Sequence, residues 1–252
     1  MKTIKTTILL AVLLMLTPIL SNAQNQSFWV HEDQVKPSKQ AEYEKVTKDF
    51  VEACKKHELK DANWAAARVD NGTYISIVPI ENMADFDKNP LAPLMEKMGE
   101  ENFRAIFKRF DACYDKHGDY MVHLIEDLSY MPNGLMSNTP GKDYRKWHYL
   151  YVTPSNAQAL HTKIKEIKAL YEKKGSKEYF RMYRSGFGTM GDYYLASVSA
   201  KDEQSYAKTS DENDTLLGAE GKKLFSEMFI LLDKYEVKTG RMRPDLAYTA
   251  KQ

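Results

Sequence analysis

The sequence predicts an α+β protein: two tandem βαββαβ repeats whose antiparallel sheets face each other as a barrel within one chain. Three observations predict it. The stretch "FKRFDACYDKHGDYMVHLIEDLSY", from Phe107, aligns without a gap over "FSEMFILLDKYEVKTGRMRPDLAY", from Phe225. The opening "VHEDQVKPS", from Val30, aligns over "WHYLYVTPS", from Trp147, at an offset of 117. Matches in order and at nearly constant spacing indicate internal duplication. Third, the strands are apolar on both faces: in "YISIVPI" Tyr74, Val78 and Ile80 share one parity, Ile75 and Ile77 the other. Such strands belong to sheets covered on both sides. Helices cover one face, and the sibling repeat is the available cover for the other, since a bare apolar face exceeds what soluble monomers expose.

Each element has its own signal. After Pro37, Ser38 is a helix N-cap candidate, and Tyr43, Val46, Phe50, Cys54 and His57 recur at helical spacing. In the second repeat Leu160, Ile164, Ile167 and Tyr171 do the same, and Gly175 stops the helix. "NWAAARV" and "TYISIVPI" flank Asp70-Asn71-Gly72, a hairpin signal in which both Asn71 and Gly72 are expected at positive φ. "YFRMYRS" and "DYYLASVS" form the second hairpin. A second helical region follows in each repeat, over 83–117 and 202–236, then a strand ending in Asp-Leu-x-Tyr. The order is that of a ferredoxin-like unit, twice. Asp127 and Asp245 are expected to end the last strands by bonding local backbone N–H groups.

The expected organisation is a signal peptide over 1–23, a first repeat over 24–131, a linker over 132–146 and a second repeat over 147–252. Lys2 and Lys5, the apolar run "ILLAVLLML" and small Ser21 and Ala23 form a secretory leader with cleavage after Ala23. The run is too short to span a bilayer, so no stable membrane anchor is expected after cleavage, and the protein is secreted or periplasmic. Without the leader, 34 basic side chains stand against 35 acidic ones among the 36 Lys and Arg and 35 Asp and Glu of the whole chain. That balance offers nothing to a phosphate backbone, so nucleic acid is excluded as a partner. Cys54 and Cys113 are either a disulfide pair or two small apolar side chains.

Chemistry has few local signals. "GFGTMG" lies between strands and lacks the helix a phosphate loop needs; His-Glu-x-x-His, paired-Cys and Gly-x-Ser-x-Gly motifs are absent. The repeat-matched His31 and His148 are the sharpest candidates, as ligand contacts or as strand histidines bonded to backbone; their sheet face is left open, and no metal site is assigned. The chain holds 16 Tyr, 10 Phe and 3 Trp. Trp147, Tyr149 and Tyr151, with Trp29, Trp64 and Tyr74 on the matching strands, are expected to line a pocket between the repeats for a small apolar or aromatic molecule, or else to fill a solid core. Arg68 and Arg184 correspond roughly and are candidates to clamp a carboxylate or to form rim ion pairs.

The duplicated pattern, with the "WVHEDQVKPSKQAEYE" opening and the "RPDLAY" close, resembles the dimeric α+β barrel superfamily over residues 28–248. That superfamily holds antibiotic-biosynthesis monooxygenases, NIPSNAP-like proteins and chlorite dismutases, and the chain looks like a secreted, two-copy branch of it. The resemblance implies three readings: a small-molecule binding protein, a monooxygenase-like or haem-binding enzyme, or a non-catalytic interaction module. Whether it is an enzyme, and whether it is a monomer or a homodimer, stay open. Haem-degrading members place an Asn, a Trp and a His around the haem, types that Asn63, Trp64 and the strand histidines supply.

Overall fold

Four strands from each repeat join edge to edge into one closed sheet. The computed structural model describes residues 26–135 and 140–250, so the leader lies outside the described residues. The first repeat supplies β1 (Ser27–Val35), α1 (Gln40–Lys56), β2 (Asn63–Val69), β3 (Thr73–Ile80), α2 (Ala92–Met98), α3 (Glu100–Asp111) and β4 (Tyr114–Leu124). The second supplies β5 (Tyr144–Tyr151), α4 (Ala157–Lys174), β6 (Phe180–Ser185), β7 (Tyr193–Ala200), α5 (Glu203–Ile230) and β8 (Lys234–Met242), and a short β9 (Tyr248–Thr249) follows. The spatial order β3-β1-β4-β6-β7-β5-β8-β2 returns to β3, closing eight antiparallel strands. The closing seams are β4 with β6 and β8 with β2, each joining one repeat to the other. Closure leaves none of these eight strands as a free edge.

The two faces of this sheet explain the double apolar parity. Val30, Ile75, Val122, Trp147, Tyr149, Tyr193 and Leu195 point inward as one buried cluster. The opposite parity points outward to the helices: Val35 and Tyr74 cluster with Tyr43 of α1 and with Leu246, and Leu150, Phe180 and Val198 cluster with Ile164 of α4. The interior also buries Arg145 and Arg181 near one end. Burial and the neighbouring Arg181 push the Arg145 guanidinium down to about 10.

The Asp-Leu-x-Tyr motifs are reciprocal latches. Leu128, at the end of the first repeat, is fully buried in the core of the second, and Tyr130 Oη donates to Ser176 O at 2.9 Å. Leu246 is buried in the core of the first, and Tyr248 Oη donates to Leu59 O at 2.6 Å. The aspartates do not end strands as expected. Asp127 pairs with Lys165 and Asp245 with Lys48 and Arg243, so each reaches a lysine on the sibling repeat's first helix.

Several local expectations are corrected. Ser38 makes no capping bond; a 3-10 turn over Pro37–Lys39 precedes α1. Only Gly72 takes positive φ, at 90°, because a turn closed by Gly72 N to Val69 O makes a three-residue loop rather than a two-residue one. Gly175 does cap α4 in the left-handed conformation. The second helical region of the first repeat splits into α2 and α3 at Gly99. Cys54 and Cys113 are buried free thiols in different clusters, so the disulfide does not form. Among the described residues, no helix is long and apolar enough to cross a membrane.

Candidate functional site

The outward face of the second sheet does not meet its helices everywhere. A cavity of about 630 Å³ opens between β5–β7 and the helices α4 and α5. Its floor is Leu150, Met182, Ala196 and Val198, its walls Ile164, Ile167, Leu217 and Phe225. Two sequence features create the space. Ala196, on β7 beside His148, keeps the floor low. The helix α5 breaks at Gly218, whose φ of 60° and ψ of −143° suit glycine, and Gly221 on the wall has no side chain to fill the gap.

His148 sits in this floor between two tyrosines. Its Nδ1 lies 2.6 Å from Tyr235 Oη and its Nε2 3.3 Å from Tyr206 Oη. Burial, with Lys146 nearby, pushes the imidazole down to about 4, so it is neutral at physiological pH. One ring nitrogen then donates and the other accepts. Burial pushes Tyr206 up to about 12 and raises Tyr235 as well, so both phenols stay protonated. Deeper in, Glu178 accepts from Tyr171 Oη and Asn213 Nδ2, both at 3.1 Å, and burial raises its carboxyl. The result is a greasy chamber with a few convergent polar groups, the usual composition of a small-molecule site.

His31 faces the helices too, in contrary surroundings. Its Nδ1 is 2.8 Å from Asp119 Oδ1 and its Nε2 3.1 Å from Asp33 Oδ1. The hydrogen bond to Asp33, reinforced by Asp119, raises the imidazole to about 9 against an opposing desolvation, so it is a cation.

The other candidates do not converge. Trp147, Tyr149 and Tyr151 lie inside the barrel, packed with Val30, Ile75 and Val122, and do not line the cavity of the second repeat. Trp29, Trp64 and Tyr74 lie on the outer face. Trp29 donates to Asp119 Oδ1 at 3.0 Å, Trp64 stacks on Phe50 at 5.6 Å, and Tyr74 lies against Tyr43 at 4.6 Å. Asn63 is exposed at the edge, paired with Thr249, apart from both histidines. Arg68 bonds Gln40 at 2.8 Å, while Arg184 pairs with Asp192 at 3.1 Å and lies over Tyr194. Neither arginine lines the cavity. Tyr206, Tyr235 and Glu178 escaped the sequence reading; Tyr235 was findable as the repeat partner of His117.

By sequence the chain matches no protein-family model and no curated protein. By structure it matches widely. An anthrone oxidase-like protein superposes with a TM-score of 0.58 at 12% identity, covering 90% of this chain and 94% of that one. A protein described as a monooxygenase of Lactobacillus acidophilus NCFM gives 0.55 at 10% identity, covering 90% and 97%. A mutant chlorite dismutase from Candidatus Nitrospira defluvii gives 0.50 at 8% identity, covering 87% and 92%. At such identities the likeness speaks to fold: an α+β barrel of two ferredoxin-like repeats.

Proposed function

We propose that this protein is a monooxygenase-like member of the α+β barrel superfamily that binds a flat, largely aromatic small molecule in the sheet–helix cavity of its second repeat. The observation that carries this reading is His148, an imidazole held neutral by burial in an apolar chamber, flanked by two protonated tyrosines. A chamber of this volume suits a ligand of drug-like size. Its apolar walls favour aromatic rings, and the Tyr-His-Tyr row supplies oriented donors and one acceptor for a carbonyl or phenol oxygen. The names carried by the structural neighbours add the reaction class.

In this reading His148 is the final proton acceptor: the tyrosine hydroxyl that donates to its unprotonated nitrogen passes that proton on and takes one from an activated O–H or C–H of the bound ring system. The other tyrosine, which accepts from the His148 N–H, keeps its own O–H free to hold the developing oxyanion. The electron-rich carbanion or phenolate so formed reacts with dioxygen. For anthrone, dioxygen is the oxidant and the ring methylene the reductant: both C–H bonds break, one oxygen atom becomes the new carbonyl, and the other leaves as water with the two hydrogens.

Haem suits the chamber poorly. His148 is the one imidazole on its wall and already uses both nitrogens on tyrosine hydroxyls, and Lys222 is the one ammonium or guanidinium there to meet two propionates. The leader supports export, so N-terminal sequencing of the exported protein should begin at Gln24.

Anthrone is a suitable probe. Binding is read by quenching of intrinsic fluorescence and turnover by dioxygen uptake. The reading predicts turnover above the uncatalysed rate, falling at least ~100-fold in His148→Gln with binding largely kept. Neither binding nor turnover with anthrone would remove it.

A further inference from the structure

The strands β1 and β4 carry the same tripeptide pattern in opposite directions: His31-Glu32-Asp33 and His117-Gly118-Asp119. Their register sets His31 beside Asp119 and Asp33 beside His117, all on the outer face. Side chains directly opposite on antiparallel strands lie close enough to share a ligand. His31, Asp33 and His117 each offer a donor atom, and these atoms lie within 4.8 Å of one another. The two imidazole rings are 5.6 Å apart.

We propose that His31, Asp33 and His117 bind one divalent first-row transition ion, Zn²⁺ foremost, with Asp119 as the residue that orients His31. Two imidazoles and one carboxylate suit Zn²⁺ or its neighbours better than Ca²⁺ or Mg²⁺, which seek oxygen alone. Three protein ligands leave a position for water or for an anionic or carbonyl-bearing molecule.

The surroundings support this choice of roles. Asp119 accepts at His31 Nδ1, which fixes the tautomer and turns Nε2 toward Asp33 and His117. A carboxylate behind a ligating histidine is the usual support of such a site. Tyr43 Oη donates to Asp33 Oδ2 at 2.7 Å, leaving Oδ1 for the ion. Trp29 Nε1 steadies Asp119 at 3.0 Å. Asp33 is 4% exposed and is partnered by the His31 imidazole, whose proton a bound ion would displace and release. His117 is exposed, which gives an ion its way in. The ligands stand on paired strands, where positions are better fixed than on loops.

The second repeat lacks the set. The positions that match Asp33, His117 and Asp119 hold Leu150, Tyr235 and Val237. Among the described residues the set therefore occurs once, and one ion is expected to bind there.

The test uses the full, tag-free chain after chelator treatment. Zn²⁺ is titrated by calorimetry, and Co²⁺ is followed by its visible d–d absorption. One equivalent should bind, with a Co²⁺ band characteristic of nitrogen and oxygen ligands, and Zn²⁺ should raise Tm. His117→Gln, at an exposed position that leaves the fold intact, should weaken binding at least ~100-fold, Asp119→Asn by about 10-fold to 100-fold, and His57→Gln not at all. Asp33→Asn serves as a second ligand variant where circular dichroism shows it folded. Binding well below one equivalent, or binding unchanged in His117→Gln, overturns the assignment.

Discussion

His31 and His148 hold equivalent positions in the two repeats and differ in charge state. His31 faces Asp33 and Asp119 and is held as a cation; His148 faces Leu150, Val237, Tyr206 and Tyr235 and is held neutral. Duplication gave both repeats the same strand scaffold, and substitution of the side chains around one imidazole separated their chemistry. The first repeat became a polar cluster and the second an apolar chamber.

The His148 environment sets a pH dependence. A histidine whose folded pKa lies below its unfolded value contributes fully above the unfolded pKa, here 6.5, and loses that contribution as pH falls toward about 4. Denaturant unfolding should show stability dropping by on the order of 3 kcal/mol across this window because of His148. His148→Gln should flatten that part of the curve. Imidazole NMR should find the ring neutral at pH 5.5.

Filling the chamber separates its two roles. Ala196→Phe places a ring over the floor beside His148, in space already empty. Tm should change by a few degrees at most, while anthrone binding falls at least ~10-fold. Equal affinity in the variant would place the ligand elsewhere.

The latches tie each repeat to its twin. Leu128→Ala and Leu246→Ala each empty a fully buried site and should cost about 2–5 kcal/mol. Tyr130→Phe and Tyr248→Phe each leave a buried carbonyl without its donor, for about 1–3 kcal/mol. Urea melts followed by both tryptophan fluorescence and circular dichroism should move together, since neither repeat has a complete core without the other.

The β2–β8 seam has no room for a side chain at Gly240. A Cβ there would lie 2.2 Å from Arg68 O and 2.9 Å from Trp147 Cζ3. Gly240→Ala should therefore destabilise by about 1–3 kcal/mol or more, read by thermal melting.

Architecture was legible in the sequence because each clue was repeated. Two copies of the Pro-Ser helix start, the hairpin and Asp-Leu-x-Tyr reinforced one another, and doubly apolar strands demanded cover on both sides. The site was less legible. Period-2 patterning tells which residues share a face but not which face looks inward, so Trp147 and Trp29 were grouped although they lie on opposite sides of the sheet. Aligning His31 with His148 drew attention to what the repeats share. The chemistry lies in what they do not share, Asp33 against Leu150 and His117 against Tyr235. The chamber itself depends on the bend at Gly218, a long-range consequence of one backbone conformation that composition does not signal.

A crystal structure of the full chain with anthrone tests the account most directly. Ligand density between β5–β7 and α4–α5, with an oxygen in hydrogen-bonding range of the Tyr206–His148–Tyr235 row, is the predicted result. Density inside the barrel beside Trp147 and Tyr149, or a chamber left without ligand at saturating concentration, would contradict it.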